Sequence, residues 1–200
     1  MDTLDTPQLL SLAAALGFVS GIRLYAVLLI VGLTGYFDWA PLPSGLDILS
    51  HPVVLGVSGL MVMVEFLADK IPALDSLWDG IHTFIRIPAG AALAAAAVGG
   101  DSAAWSTVAM IMGGSLAATS HATKAGMRAA INTSPEPFSN IALSSTEDVA
   151  TAGMLWLAIM HPLLAASLVV LLVLLAIWLL PKVFRFVVGV FRRVFGASAA

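Results

Sequence analysis

The sequence predicts an all-α integral membrane protein of about six transmembrane helices, and three observations predict it. The chain is 60% hydrophobic and only 10% charged over 200 residues, whereas a typical soluble domain is roughly 25% charged. Its mean hydropathy is +0.99. Its apolar stretches repeatedly approach the roughly 20 residues needed to cross about 30 Å of hydrocarbon. The nine Lys and Arg and twelve Asp and Glu leave a net charge of -3, so no general basic excess exists to bind nucleic acid. The absence of cysteine excludes disulfides, thiolate metal sites and cysteine nucleophiles.

The first span covers residues 7–37, uncharged apart from Arg23. Residues 52–71 form the second, with Pro52 suited to a first helical turn and Glu65 and Asp69 towards its end. The third, 81–99, gains from extension back to Leu77 and carries Arg86 and an alanine-rich run. The fourth, 102–122, is free of Asp, Glu, Lys and Arg. The uncharged stretch 149–180 would be ~48 Å long as one helix, too long for one crossing. His161-Pro162 breaks it, because proline disfavours helix in its predecessor and starts one well. The reading is a short fifth helix near 146–160 and a sixth from Pro162; a re-entrant fifth helix would leave five spans.

Charge asymmetry favours six. Lys70, Arg86, Lys124, Arg128, Lys182, Arg185, Arg192 and Arg193 then fall on one side, against Asp38, Asp47 and Asp101 on the other. That pattern places both termini in the cytoplasm. No signal peptide is evident in the first eight residues, which hold two Asp and no positive charge. Residues 1–181 read as one transmembrane domain. Residues 182–200 read as a basic amphipathic helix, its Lys182, Arg185, Arg192 and Arg193 suited to anionic lipid.

Ser11-Leu-Ala-Ala14 recurs at 115–118, and Gly21-Ile-Arg23 recurs as Gly126-Met-Arg128. Weak internal symmetry of this kind is a mark of transporter construction. Two halves, 1–100 and 101–181, with three spans each must be inverted. His51-Pro52 and His161-Pro162 also match, but pair the second helix with the sixth.

An ionised Arg23 within a span costs at least ~2.5 kcal/mol unless it faces protein or water. It lines a solute path or makes a structural pair with Glu65. Glu65 and Asp69, and likewise Asp75 and Asp79, are four apart on one helical face. With Pro72 turning the chain between the pairs, Asp75, Asp79 and His82 form a candidate site for a hard cation; solvated interfacial charge neutralised by Lys70 and Arg86 is the plainer reading. His121, Lys124 and Arg128 share another face, suited to attracting an anion, gating a path or simple positive-inside anchoring. Residues 132–140, with Pro135 and Pro137, read as a rigid loop, and Glu147 and Asp148 as acids at a helix start. There is no His-Glu-x-x-His, Gly-x-Ser-x-Gly or phosphate-binding glycine loop.

Five longer stretches, Ser20-Gly-Ile-Arg-Leu-Tyr25, Glu65-Phe-Leu-Ala-Asp-Lys-Ile-Pro72, Asp75-Ser-Leu-Trp-Asp79, His82-Thr-Phe-Ile-Arg-Ile-Pro-Ala-Gly90 and Asn132-Thr-Ser-Pro-Glu-Pro-Phe-Ser-Asn140, together resemble a family of bacterial multi-pass membrane proteins classed as a domain of unknown function. The resemblance runs over nearly the whole chain and implies a bacterial inner-membrane protein. It assigns no activity and no site.

The expected function is a small transporter or channel for an ion or small polar solute, with Arg23, Glu65, Asp69, Lys70, His121, Lys124 and Arg128 lining the path and no cofactor. That reading requires Arg23 and Glu65 to border a cavity. Besides the bilayer, a second copy is an expected partner, packed through Gly113, Gly114, Ala117 and Ala118. A non-transporting scaffold docking through 132–140 is the rival. A metal-dependent lipid-modifying enzyme built on Asp75 and Asp79 is the third reading.

Overall fold

The computed structural model describes residues 4–71, 74–99, 102–133 and 138–195. Among them are six α-helices, one short 3-10 helix and no strand. Helix α1, Thr6–Tyr36, begins at a reciprocal cap in which Gln8 N donates to Asp5 Oδ1 and Asp5 N to Gln8 Oε1, both 2.9 Å. A 3-10 helix, Ser44–Ser50, meets α2, Pro52–Ala68, at 70°. Then follow α3, Leu74–Val98, α4, Ala103–Ile131, α5, Phe138–Met160, and α6, Pro162–Phe195. The break between α5 and α6 falls at His161, where the proline argument places it.

Two expected boundaries change. Helix α5 begins at Phe138, so Glu147 and Asp148 lie inside it rather than at its start, their charge met by cations of α1 and α4. Helix α6 runs unbroken through Pro181, so residues 182–195 of the basic tail continue the sixth helix. There Lys182 Nζ sits 3.0 Å from the Trp178 ring centroid, and Leu180 and Val183 lie against Gly126.

Helices α1, α3 and α6 are long and apolar enough to cross a membrane, and the bent pair of the 3-10 helix and α2 is a fourth candidate. Polar and small residues keep α4 and α5 below that level: Gly, Ser and Thr in one, Asn, Ser, Thr, Glu and Asp in the other. Burial sets the layers. In the most apolar stretch of α1, 67% of residues are buried, against 17% in α6. Helix α1 is therefore the core of the bundle, and α6, with Leu171, Leu174 and Ile177 exposed, is an outer wall.

Small residues let α1, α3 and α4 approach closely. A Cβ on Gly17 would stand 2.5 Å from Gly113 Cα, one on Gly21 2.2 Å from Ala117 O, and one on Gly113 2.7 Å from Gly90 O. Gly113 and Ala117, part of the face expected to join two copies, are thus spent inside the chain. Because backbone cannot yield to a methyl group, Gly17→Ala is expected to cost about 1–3 kcal/mol, read as a lower Tm of the detergent-solubilised protein.

Candidate functional site

Above this small-residue contact, the same helices change character. On α3 the buried stripe runs Asp75, Asp79, His82, Arg86, then Gly90, Leu93, Ala94 and Ala97. On α4 it runs Gly113, Ala117, then Ser120, His121, Lys124 and Arg128. On α5 it includes Asn140, Ser144 and Thr151. Steps of three and four keep each stripe on one face, so α3 and α4 turn ionisable residues inward and α5 turns uncharged polar ones.

Arg23 joins them through an interruption of α1. Its φ of -141° and ψ of 73° are not helical, and carbonyls of the preceding turn are taken by α4: Ser120 Oγ donates to Phe18 O at 2.6 Å and Lys124 Nζ to Ile22 O at 3.2 Å. Irregular backbone at membrane depth is tolerated where protein satisfies it. The Arg23 guanidinium does not meet Glu65. It reaches Asp69 Oδ2 at 2.8 Å and Asp148 Oδ1 at 2.9 Å, and donates to Ser144 Oγ at 3.0 Å.

Two groups of charge follow. In the first, Asp69 Oδ2 receives Arg23 and Lys124, each at 2.8 Å, and Arg128 at 3.5 Å, while Glu147 Oε2 faces the same cations at 3.8, 3.6 and 2.8 Å. Arg23 and Arg128, aligned by the sequence repeat, flank the same two carboxylates. In the second, Arg86 bridges Glu65 and Asp79, the latter at 2.7 Å, with Lys124 at 3.5 Å from Asp79 linking the groups. Arg23, Arg86, Lys124, Arg128, Glu65, Asp69, Asp75 and Asp79 are all at most 3% exposed. Four buried cations thus meet four buried carboxylates, with Glu147 and Asp148 added at the rim. Those two are 10% and 35% exposed.

The histidines take assigned tautomers from their partners. His121 Nδ1 lies 3.2 Å from Arg86, which can only donate, so Nε2 carries the hydrogen toward Thr83 Oγ1 at 2.7 Å, and Thr83 donates to Asp79 O at 3.0 Å. His82 Nδ1 donates to Trp78 O at 2.8 Å, leaving Nε2 to accept from Tyr25 Oη at 3.0 Å. His82 is therefore not gathered with Asp75 and Asp79. Asp75 accepts from Asn132 Nδ2, 3.1 Å from each oxygen, and lies 3.6 Å from Arg128. Among the described residues no group of three or more His, Asp or Glu is set to hold a metal ion.

Lys70 stands at the edge, its Nζ 3.0 Å from the Phe66 ring centroid and 3.5 Å from Ser144 Oγ. The ends of the 132–140 stretch turn inward: Asn140 is 1% exposed and donates to Asn132 Oδ1 at 2.7 Å. Residues 134–137 lie outside the described residues. Four apolar cavities among the described residues are lined by neither Arg23 nor Glu65. Arg23 and Glu65 are instead buried among their ion-pair partners.

Arg86, Glu147 and Asp148 belong to the site although the sequence argument left them as neutralising or helix-start charges. The signal lay in spacing: Arg86 is four residues past His82, and Glu147 three past Ser144 and four before Thr151. The family model described as "Domain of unknown function (DUF4126)" matches residues 10–182. No curated protein and no solved structure matches the chain.

Proposed function

The chain belongs to the DUF4126 family, and from that premise we propose that it is a membrane carrier for an ion or small polar solute, seen in a closed conformation with the buried charge network as its working core. The observation that carries this reading is the interruption of α1 at Arg23, deep in the bundle. Discontinuous helices that present charge and backbone at the middle of a membrane domain are how many carriers build their binding sites. A purely structural cluster gains little from an arrangement this costly, because buried ion pairs often add no stability over packed apolar side chains. Shared partners supply the alternative: with Asp69 and Glu147 facing the same three cations, bonds can be exchanged without leaving a charge bare. The scaffold reading draws less support, since Asn132 and Asn140 turn into the network. The lipid-enzyme reading draws less as well, since Asp75 and Asp79 are buried and already paired.

In keeping with the exposed basic residues Lys182, Arg185 and Arg192 near the C-terminal end, the carrier sits in a bacterial inner membrane with both termini cytoplasmic. A C-terminal reporter that works only in the cytoplasm checks that placement. The carrier reading is tested by a screen of ions and small polar solutes in proteoliposomes, comparing wild type with Arg23→Gln and Glu65→Gln. Solute uptake that both substitutions abolish is expected. Uptake that ignores both, or a wild type that moves nothing in the screen, would count against it.

A further inference from the structure

We propose that the oxygens around Lys124 form a binding site for small ammonium cations, held in this conformation by the lysine's own tethered ammonium. Resting on the carrier reading, this names the substrate class as solutes bearing a hydrogen-bonding –NH3+ group. Lys124 Nζ is surrounded by Asp69 Oδ2 at 2.8 Å, Ile22 O at 3.2 Å, Asp79 Oδ1 at 3.5 Å and Glu147 Oε2 at 3.6 Å. One of these ligands, the Ile22 carbonyl, adjoins the non-helical Arg23.

Three features point to a cation that can leave and be replaced. Asp69 Oδ2 and Ile22 O stand at N–H···O spacing and the other two oxygens farther off, whereas Ca²⁺ needs oxygens at about 2.3–2.6 Å and Mg²⁺ at about 2.0–2.1 Å. Asp69 Oδ1 and Asp79 Oδ2 are buried with no hydrogen-bond partner, so the cradle has acceptors to spare beyond those Lys124 uses. The ion-paired network holds six carboxylates, Glu65, Asp69, Asp75, Asp79, Glu147 and Asp148, against four cations, Arg23, Arg86, Lys124 and Arg128. That surplus favours positive guests. At the edge nearest solvent Asp148 is 35% exposed, with Lys70 beside it near Ser144.

The test removes the tethered cation. Lys124→Ala in the full-length, detergent-solubilised chain should melt below wild type and recover saturably with ammonium or methylammonium chloride. Choline chloride at equal ionic strength should do nothing, having no N–H to donate. The double variant Asp69→Asn/Lys124→Ala should respond to neither. Equal recovery with choline, recovery with K⁺ or Ca²⁺ alone, or no recovery would overturn the assignment. Should Lys124→Ala not fold, equilibrium dialysis of radiolabelled methylammonium against wild type answers the same question. Saturable binding that Asp79→Asn removes is expected, and no saturable binding overturns the site. Binding without flux would leave the site standing and overturn the carrier; flux of other solutes without ammonium binding would do the reverse.

Discussion

Asp69→Asn is expected to destabilise the protein by about 3–5 kcal/mol, the range for removing one member of a buried ion pair. That is a large share of the roughly 5–15 kcal/mol that holds a typical domain folded. The reason is its position as a hub. One oxygen serves Arg23, Lys124 and Arg128, and amide substitution leaves three buried cations dependent on Glu147 alone for shared compensation. The backbone oxygen of residue 69, which accepts from Arg128 at 2.6 Å, is kept, so the loss isolates the charge. Asp148→Asn is the control. Asp148 also binds Arg23, but at 35% exposure water screens the pair, and a change within about 1 kcal/mol is expected. Thermal unfolding in one detergent, with both variants beside wild type, makes the comparison.

Arg86→Met should have an effect of similar size, because it strips Glu65 and Asp79, 1% and 2% exposed, of the cation they share and leaves only Asp79 another, Lys124 at 3.5 Å. The informative variant replaces all three charges. Glu65→Leu/Asp79→Leu/Arg86→Met should regain most of the lost stability, since apolar packing often matches a buried ion-pair group or exceeds it. Solute uptake should not return. A triple variant that folds and still transports would mark this trio as structural. A triple variant less stable than Arg86→Met alone would show that the surrounding polar groups, His121 above all, cannot tolerate an apolar neighbour.

The architecture was legible where one physical rule acts alone. Hydrocarbon thickness and the His161-Pro162 pair located the end of α5, and the uncharged stretch around Arg23 marked α1 as a span. The faces of the ionisable residues on α3 and α4 were also readable, because helical spacing places Asp75 with Asp79 and Lys124 with Arg128 without reference to the rest of the fold. Partners were not readable. Arg23 pairs with Asp69 rather than Glu65 because Asp69 caps the end of α2 and sits one helical turn beyond Glu65, a difference set by how α2 leans on α1. The start of α5 was misplaced for a related reason. Glu147 and Asp148 look like first-turn acids when only local electrostatics is considered, and they become mid-helix ion-pair partners once Arg23 and Arg128 arrive from other helices. Gly113 and Ala117 show the same limit: a small-residue face announces close packing but not whether the neighbour is the same chain.

The central claim, that the buried network opens in use, is tested most directly by cysteine accessibility, and a chain without cysteine gives no background. Ser144 is fully buried and accepts from Arg23 at 3.0 Å, while the adjacent Ser145 is exposed. In inside-out membrane vesicles, a membrane-impermeant thiol reagent should modify Ser145→Cys at once and Ser144→Cys slowly, at a rate that rises when transported solute is supplied. A Ser144→Cys protein that stays unmodified in every condition until it is denatured, while Ser145→Cys reacts, would show a sealed ionic core and contradict the carrier.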